Sequence, residues 1–213
     1  IRSIRLGTRM ANPHRPPVLV LVTSAVPAEG KTTIALSLGY SAAAHGQRVL
    51  VVEADLRHPA ISKQLNLNNV EGLMEVLLGR VELGQALVDS KMPTLKILPA
   101  GKMGLSTVDP FSTEQVRPVL EKMRESFDVI YLDAPPLAPV IDSALLSRFA
   151  DAVLMVVEWR ATPRPIVQRA LQSIDSSHQK LAGIVLNKVR FDQMPGYSPY
   201  YRYLNKTSEK YSS

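Results

Sequence analysis

Lys31 and Thr32 follow Gly30 in the stretch SAVPAEGKTT, residues 24–33. Gly-Lys-Thr at the start of a helix is an arrangement for holding phosphate. Loop N–H groups and the helix N-terminus form a concave anion site, Lys31 reaches the β- and γ-phosphates, and the Thr32 hydroxyl can take a place on Mg²⁺. The loop residues Ala28, Glu29, Gly30, Lys31, Thr32 and Thr33 are therefore the expected nucleotide contacts. Two acidic groups elsewhere belong to the same chemistry. Asp133 follows an apolar run in IYLDAPP, and Pro135 and Pro136 exclude a helix start there; it reads as a metal-holding carboxylate. Glu53, Asp55 and Arg57 form the cluster EADLR. One carboxylate can help to hold Mg²⁺ while another, Glu53 or Asp55, accepts a proton from an attacking hydroxyl. Alternation along an extended backbone predicts that residues 53, 55 and 57 share one side. Ala25 stands where the usual phosphate-loop pattern has its first glycine.

The elements that must position these groups are legible as runs. Val18 to Ser24 is continuously apolar until its end, as a strand buried on both faces should be. A Pro- and Gly-containing loop and a helix from Thr32, fading near His45-Gly46, complete a strand–loop–helix phosphate cradle. Further strands are predicted at Val49–Val52, Leu95–Pro99, Asp128–Asp133, Ala152–Val157 and Gly183–Leu186. Short helices broken by Gly72, Gly79 and Gly84 fall within 59–91. Ser112 is expected to open a helix whose apolar side carries Val116, Val119, Leu120 and Met123, with Pro118 forcing either a later start or a kink. Two more helices are expected near Ile141–Phe149 and Pro165–Ser176, and one at Ile1–Met10 ends before NPHRPP. Strands alternating with helices predict an α/β fold, a mostly parallel sheet of the P-loop NTPase type with helices on both faces. In such sheets ligands sit at the carboxyl ends of strands, which gathers the loop, Glu53, Asp55, Asp133 and Asn187 on one rim.

Composition narrows the class. At 213 residues the chain is near the upper end of one ordinary domain of about 150 residues, and 46% of it is apolar. There are no cysteines, which excludes disulfides and thiol chemistry. No run approaches the roughly 18 apolar residues of a membrane span, and no secretory signal opens the chain, so the expectation is a soluble domain. The net charge of +6 lies at the ends: residues 1–17 hold four arginines and no acid, and residues 186–213 hold five basic and two acidic side chains. With a neutral middle, the basic ends suit a membrane-proximal or subunit-contact role at least as well as a DNA groove, and no nucleic-acid partner is expected. Five of the seven tyrosines, Tyr197, Tyr200, Tyr201, Tyr203 and Tyr211, lie among the last 17 residues. They are interleaved with Gly196, Ser198, Pro199 and Arg202 without a lasting period, which reads as a flexible polar tail offering one kind of nucleophile.

Taken together, SAVPAEGKTT, VVEADLR, IYLDAPP and the tyrosine tail resemble the bacterial tyrosine kinases (BY-kinases), the cytoplasmic kinase domains of polysaccharide co-polymerases. The resemblance covers nearly the whole chain. It implies ATP/ADP and Mg²⁺ as cofactors; Lys31, Glu53, Asp55 and Asp133 as catalytic residues; and Thr32, Asp55 and Asp133 around the metal. Arg57 and Asn187 are expected as further nucleotide contacts, Asn187 at the base. It also implies autophosphorylation of the tail tyrosines by a neighbouring copy in a ring oligomer, with other protein tyrosines as substrates. The partner would be a membrane-embedded co-polymerase portion or activator, and the place the cytoplasmic face of the bacterial inner membrane. The expected organisation is a basic juxtamembrane or oligomerisation segment, 1–17, a P-loop kinase domain, 18–190, and a Tyr-rich tail, 191–213.

Three departures stand out. Glu53 takes the place of an aspartate, Ala28 replaces a glycine, and the family's subunit-contact motif, an acid followed by two arginines, retains only Arg2 and Arg5. The alternative is a regulatory ATPase of the deviant-Walker type that positions division sites or partitions DNA. That class carries a lysine where this chain has Val26. A GTPase is disfavoured because Arg190 replaces the guanine-reading acid after Asn187-Lys188.

Overall fold

The computed structural model describes residues 1–10, 14, 16, 18–67, 69–102, 111, 114, 116–138, 142–174, 181–190 and 193. The five tail tyrosines and Ser112 lie outside them.

Continuous apolar runs become the centre of the sheet. β1 (Leu19–Ser24), β2 (Val49–Glu53) and β5 (Val129–Asp133) are buried at every residue. With β3 (Val88–Asp89), β4 (Leu95–Leu98), β6 (Ala152–Glu158) and β7 (Leu181–Asn187) they form one sheet in the order β3-β4-β2-β5-β1-β6-β7. All pairings are parallel except β3 with β4. Around it lie α1 (Arg2–Met10), α2 (Lys31–Ala43), α3 (Ala60–Gln64), α4 (Leu73–Leu77), α5 (Leu83–Ala86), α6 (Val116–Ser126), α7 (Asp142–Ser147) and α8 (Arg164–Ser173).

Period-two alternation divides the strand side chains between two layers. Leu21, Leu50, Val52 and Leu132 pack with Leu77 of α4, Met123 of α6 and Ala170 of α8. Val20, Val22, Val51 and Tyr131 pack instead with Ile34, Leu38 and Ala42 of α2. Each large side chain so buried contributes about 2 kcal/mol. Gly39 sets the spacing of the second layer, since a Cβ there would lie 2.6 Å from Val51 Cγ2.

The expected α/β architecture is present, with differences at its margins. The α6 helix starts at Val116, so Pro118 falls in its first turn, where its missing N–H has no intrahelical role. The two-residue strand β3 was not foreseen. β2 runs one residue further than expected, to Glu53, and ends there. β7 starts two residues before its expected position and leaves Leu181, Ile184 and Leu186 at 40–55% exposure on the sheet's edge. Among the described residues no helix is long and apolar enough to cross a membrane.

Candidate active site

Parallel register brings the site together. Val22 of β1 pairs with Asp133, and Glu53 of β2 pairs with Asp133 from the other side. The loop leaving β1 and the ends of β2 and β5 thus share one rim, as the sequence predicts.

The loop is held from several directions. Ser24 Oγ donates to Val26 O at 2.7 Å. Glu29 is buried and its carboxylate accepts from Val26 N at 2.8 Å, from Glu158 N at 2.9 Å and from Thr162 Oγ1, tying the loop to the end of β6. Asn187 Nδ2 donates to Glu29 O at 2.8 Å, and Lys188 Nζ donates to Ala28 O at 2.8 Å while pairing with Glu158. Gly30 has φ 93°, as expected of a glycine turning amides inward, but Ala28 also sits in the left-handed region at φ 66°. Ala28 thus holds a left-handed conformation that a glycine adopts without a Cβ penalty.

At the start of α2, Lys31 Nζ lies 2.9 Å from Asp55 Oδ2 and 3.4 Å from Asp133 Oδ1. Thr32 Oγ1 donates to Asp133 Oδ2 at 2.7 Å. Asp133 is fully buried, and that desolvation pushes its carboxyl up to about 6 even though Lys31 and Thr32 act to lower it. Thr33 is exposed on the next position of α2.

The expected grouping of residues 53, 55 and 57 divides, because the strand stops at Glu53. Asp55 turns to Lys31. Glu53, fully buried, accepts from Ile61 N at 2.6 Å, Ser62 N at 3.1 Å, Ser62 Oγ and Ala100 N at 3.1 Å. Its carboxylate caps α3 and fastens the end of β4. Arg57 Nε lies 3.6 Å from Asp142 Oδ2, with most of its side chain in solvent. No pattern in the sequence marks the bracing side chains of Glu29 and Lys188, whose partners are up to 160 residues away.

Two buried carboxylates share one lysine, leaving a surplus negative charge beside a hydroxyl. Such oxygen donors suit a hard cation, and Thr32, Asp55 and Asp133 fit Mg²⁺. Among the described residues no group of three His, Cys, Asp or Glu side chains forms a metal cage.

A mostly parallel sheet with a strand–loop–helix phosphate cradle and two acids on the cradle lysine defines a fold of the P-loop NTPase type. The profile described as "AAA domain" matches residues 28–184, and the chain belongs to that family. Its relatives are bacterial tyrosine kinases and exopolysaccharide proteins. The tyrosine-protein kinase YwqD of Bacillus subtilis is 29% identical over 199 residues, covering 93% of this chain and 84% of that one. The succinoglycan biosynthesis transport protein ExoP of Rhizobium meliloti is 33% identical over 187 residues, 85% of this chain. The chain spans about a quarter of ExoP, 24%. The kinase domain of Escherichia coli tyrosine kinase ETK superposes with a TM-score of 0.76 at 25% identity, covering 81% of this chain and 68% of that one.

Proposed function

We propose that the chain is an ATP-dependent protein-tyrosine kinase domain whose first substrates are Tyr197, Tyr200, Tyr201, Tyr203 and Tyr211 of a neighbouring copy's tail. The observation that carries this is Asp55 on Lys31. A second carboxylate, Asp55, two residues beyond the end of β2, faces the same lysine and would supply a proton acceptor for an attacking hydroxyl. The tyrosine-kinase names of its relatives point the same way.

Loop amides from Ala28 to Thr33 bind the phosphates of ATP, and Lys31 neutralises their charge. Thr32, Asp55 and Asp133 would hold Mg²⁺, which supplies further charge neutralisation when bound. Asp55 accepts the phenolic proton; Glu53, engaged by backbone amides, positions α3 and the β4 end instead. Asn187, whose amide also braces the loop, is the nearest candidate to meet adenine. ADP is the product left in the cradle.

The relatives' names further support a role in exopolysaccharide or capsule production. In that role the chain works on the cytoplasmic face of the inner membrane, with a membrane-embedded co-polymerase portion or activator, in a ring. Residues 1–17 form the proposed contact segment, 18–190 the kinase domain and 191–213 the substrate tail. Each phosphate adds about −1.5 to −2 charges at neutral pH, so two or three outweigh the tail's basic surplus and drive tails apart. Mixing Lys31→Met protein with an active copy lacking its tail tests transfer between chains. Phosphotyrosine on the Lys31→Met tail is the expected result; an unmodified tail contradicts transfer to a neighbour.

A further inference from the structure

At the amino-terminal ends of the strands, away from the phosphate loop, α1 covers a cavity of about 170 Å³ against β1 and β5. That is room for several waters at roughly 30 Å³ each, or for one small polyatomic ion. The helix above it is turned against hydrophobic logic. Arg5 and Thr8 are buried on the sheet side, whereas Leu6 and Met10 stand in solvent at 46% and 72% exposure. Burying a guanidinium is costly unless its donors are satisfied. Among the described residues the Arg5 side chain makes one long bond, 3.4 Å, from Nη1 to Gln47 Oε1, and its buried Nε meets no partner.

Two more groups face the same space. Tyr131 is 3% exposed, and among the described residues its hydroxyl makes no hydrogen bond. Arg9 lines the cavity from one turn further along α1 and makes no ion pair among the described residues. The one acid there, Asp128, is already taken: its Oδ1 accepts from Arg48 Nη2 at 2.7 Å and Nε at 3.1 Å, and its Oδ2 from Arg48 N at 2.8 Å. Thr8 Oγ1 is spent on Ile4 O at 2.9 Å. Among the described residues, then, the cavity presents two guanidinium groups and a phenol with no free anion to meet them.

We propose that this cavity is a binding site for a phosphoryl group, either free phosphate or the terminal phosphate of a small monoester. Donors from Arg5, Arg9 and Tyr131 arrive from three side chains on two elements, which suits a tetrahedral oxyanion; a planar carboxylate would be gripped by one guanidinium fork alone. The site is separate from the nucleotide cradle, although Tyr131 and Asp133 share β5.

The test is calorimetric titration of the full chain with inorganic phosphate and with glycerol 3-phosphate, against chloride at equal ionic strength. The cradle's own phosphate affinity is removed in two ways, by saturating Mg²⁺-ADP and, independently of any nucleotide binding, by Lys31→Met. One equivalent bound under both conditions is the expected result, weakened about tenfold or more by Tyr131→Phe and by Arg9→Gln, because hydrogen bonds to a charged ligand are lost. Tyr131→Phe removes a single oxygen, so the test does not depend on a variant of the buried Arg5. Equal binding of both probes assigns the site to a monoester; phosphate alone assigns it to the free ion. No saturable binding of either probe up to about 10 mM, or binding indifferent to both substitutions, overturns the proposal.

Discussion

On the proposed reading Asp55 is the proton acceptor, the second carboxylate on a lysine that already faces Asp133. Asp55→Asn keeps the size and loses the proton acceptor. Phosphotransfer to tyrosine should fall about 10²–10⁴-fold, the usual worth of a general base, while affinity for ADP without Mg²⁺, which does not draw on the proposed metal role of Asp55, changes far less. Rate and affinity measured on the same preparation check the split; equal loss of both would make Asp55 a binding residue only. Ala28 carries a different consequence. At φ 66° it holds a conformation that L-residues adopt at a cost, on the order of 1 kcal/mol. Ala28→Gly should therefore raise the stability of the nucleotide-free protein by about 1 kcal/mol, read as a higher melting temperature. A lower one would mean that the alanine methyl packs favourably.

The short elements around β2 depend on Glu53. Its carboxylate takes the first amides of α3 and Ala100 N after β4, so Glu53→Ala leaves buried donors without partners. A loss of about 3 kcal/mol is expected in urea unfolding; a variant as stable as the parent would return Glu53 to candidacy as a freely acting base. A second clasp joins α6, β1 and the turn before β6. Asp151 Oδ2 accepts from Val18 N at 3.0 Å, Leu19 N at 2.8 Å and Arg124 Nη1 at 2.6 Å. Burial alone would raise this carboxyl, but Arg124 and the two backbone amides hold it below its ordinary value of 3.8. A depressed carboxyl stabilises the fold above the unfolded-state value and loses that contribution as pH falls through the lower folded-state value. Asp151→Asn should accordingly cost stability at pH 7, with the difference narrowing below pH 3.8. A gap independent of pH would assign the loss to packing.

At the scale of the whole molecule, the sheet and its rim were legible because β1, β2 and β5 are central, buried on both faces and apolar throughout. The phosphate loop, Asp55 and Asp133 follow directly from those strand ends. The direction of Glu53 was not legible. It depends on where β2 stops and on amides of α3, neither of which leaves a mark in the residue pattern. β3 is too short to show a period, and the partially exposed β7 reads as shorter than it is. Arg5 was expected with Arg2 as a subunit contact; Arg2 is exposed, but Arg5 is turned onto the sheet. The proposed ring contact thus rests on Arg2 and the apolar outer face of α1 rather than on both arginines.

Passage of phosphate from the cradle to the tail is what separates the proposed kinase from a regulatory ATPase. Incubating the chain with ATP and Mg²⁺ and mapping phosphotyrosine by mass spectrometry, beside Lys31→Met as control, measures this directly. Modification at several of Tyr197, Tyr200, Tyr201, Tyr203 and Tyr211, absent from the Lys31→Met control, is the predicted result. ATP consumed with all five left unmodified, in a full-length, membrane-anchored form as well, would contradict it and make the protein a regulatory ATPase.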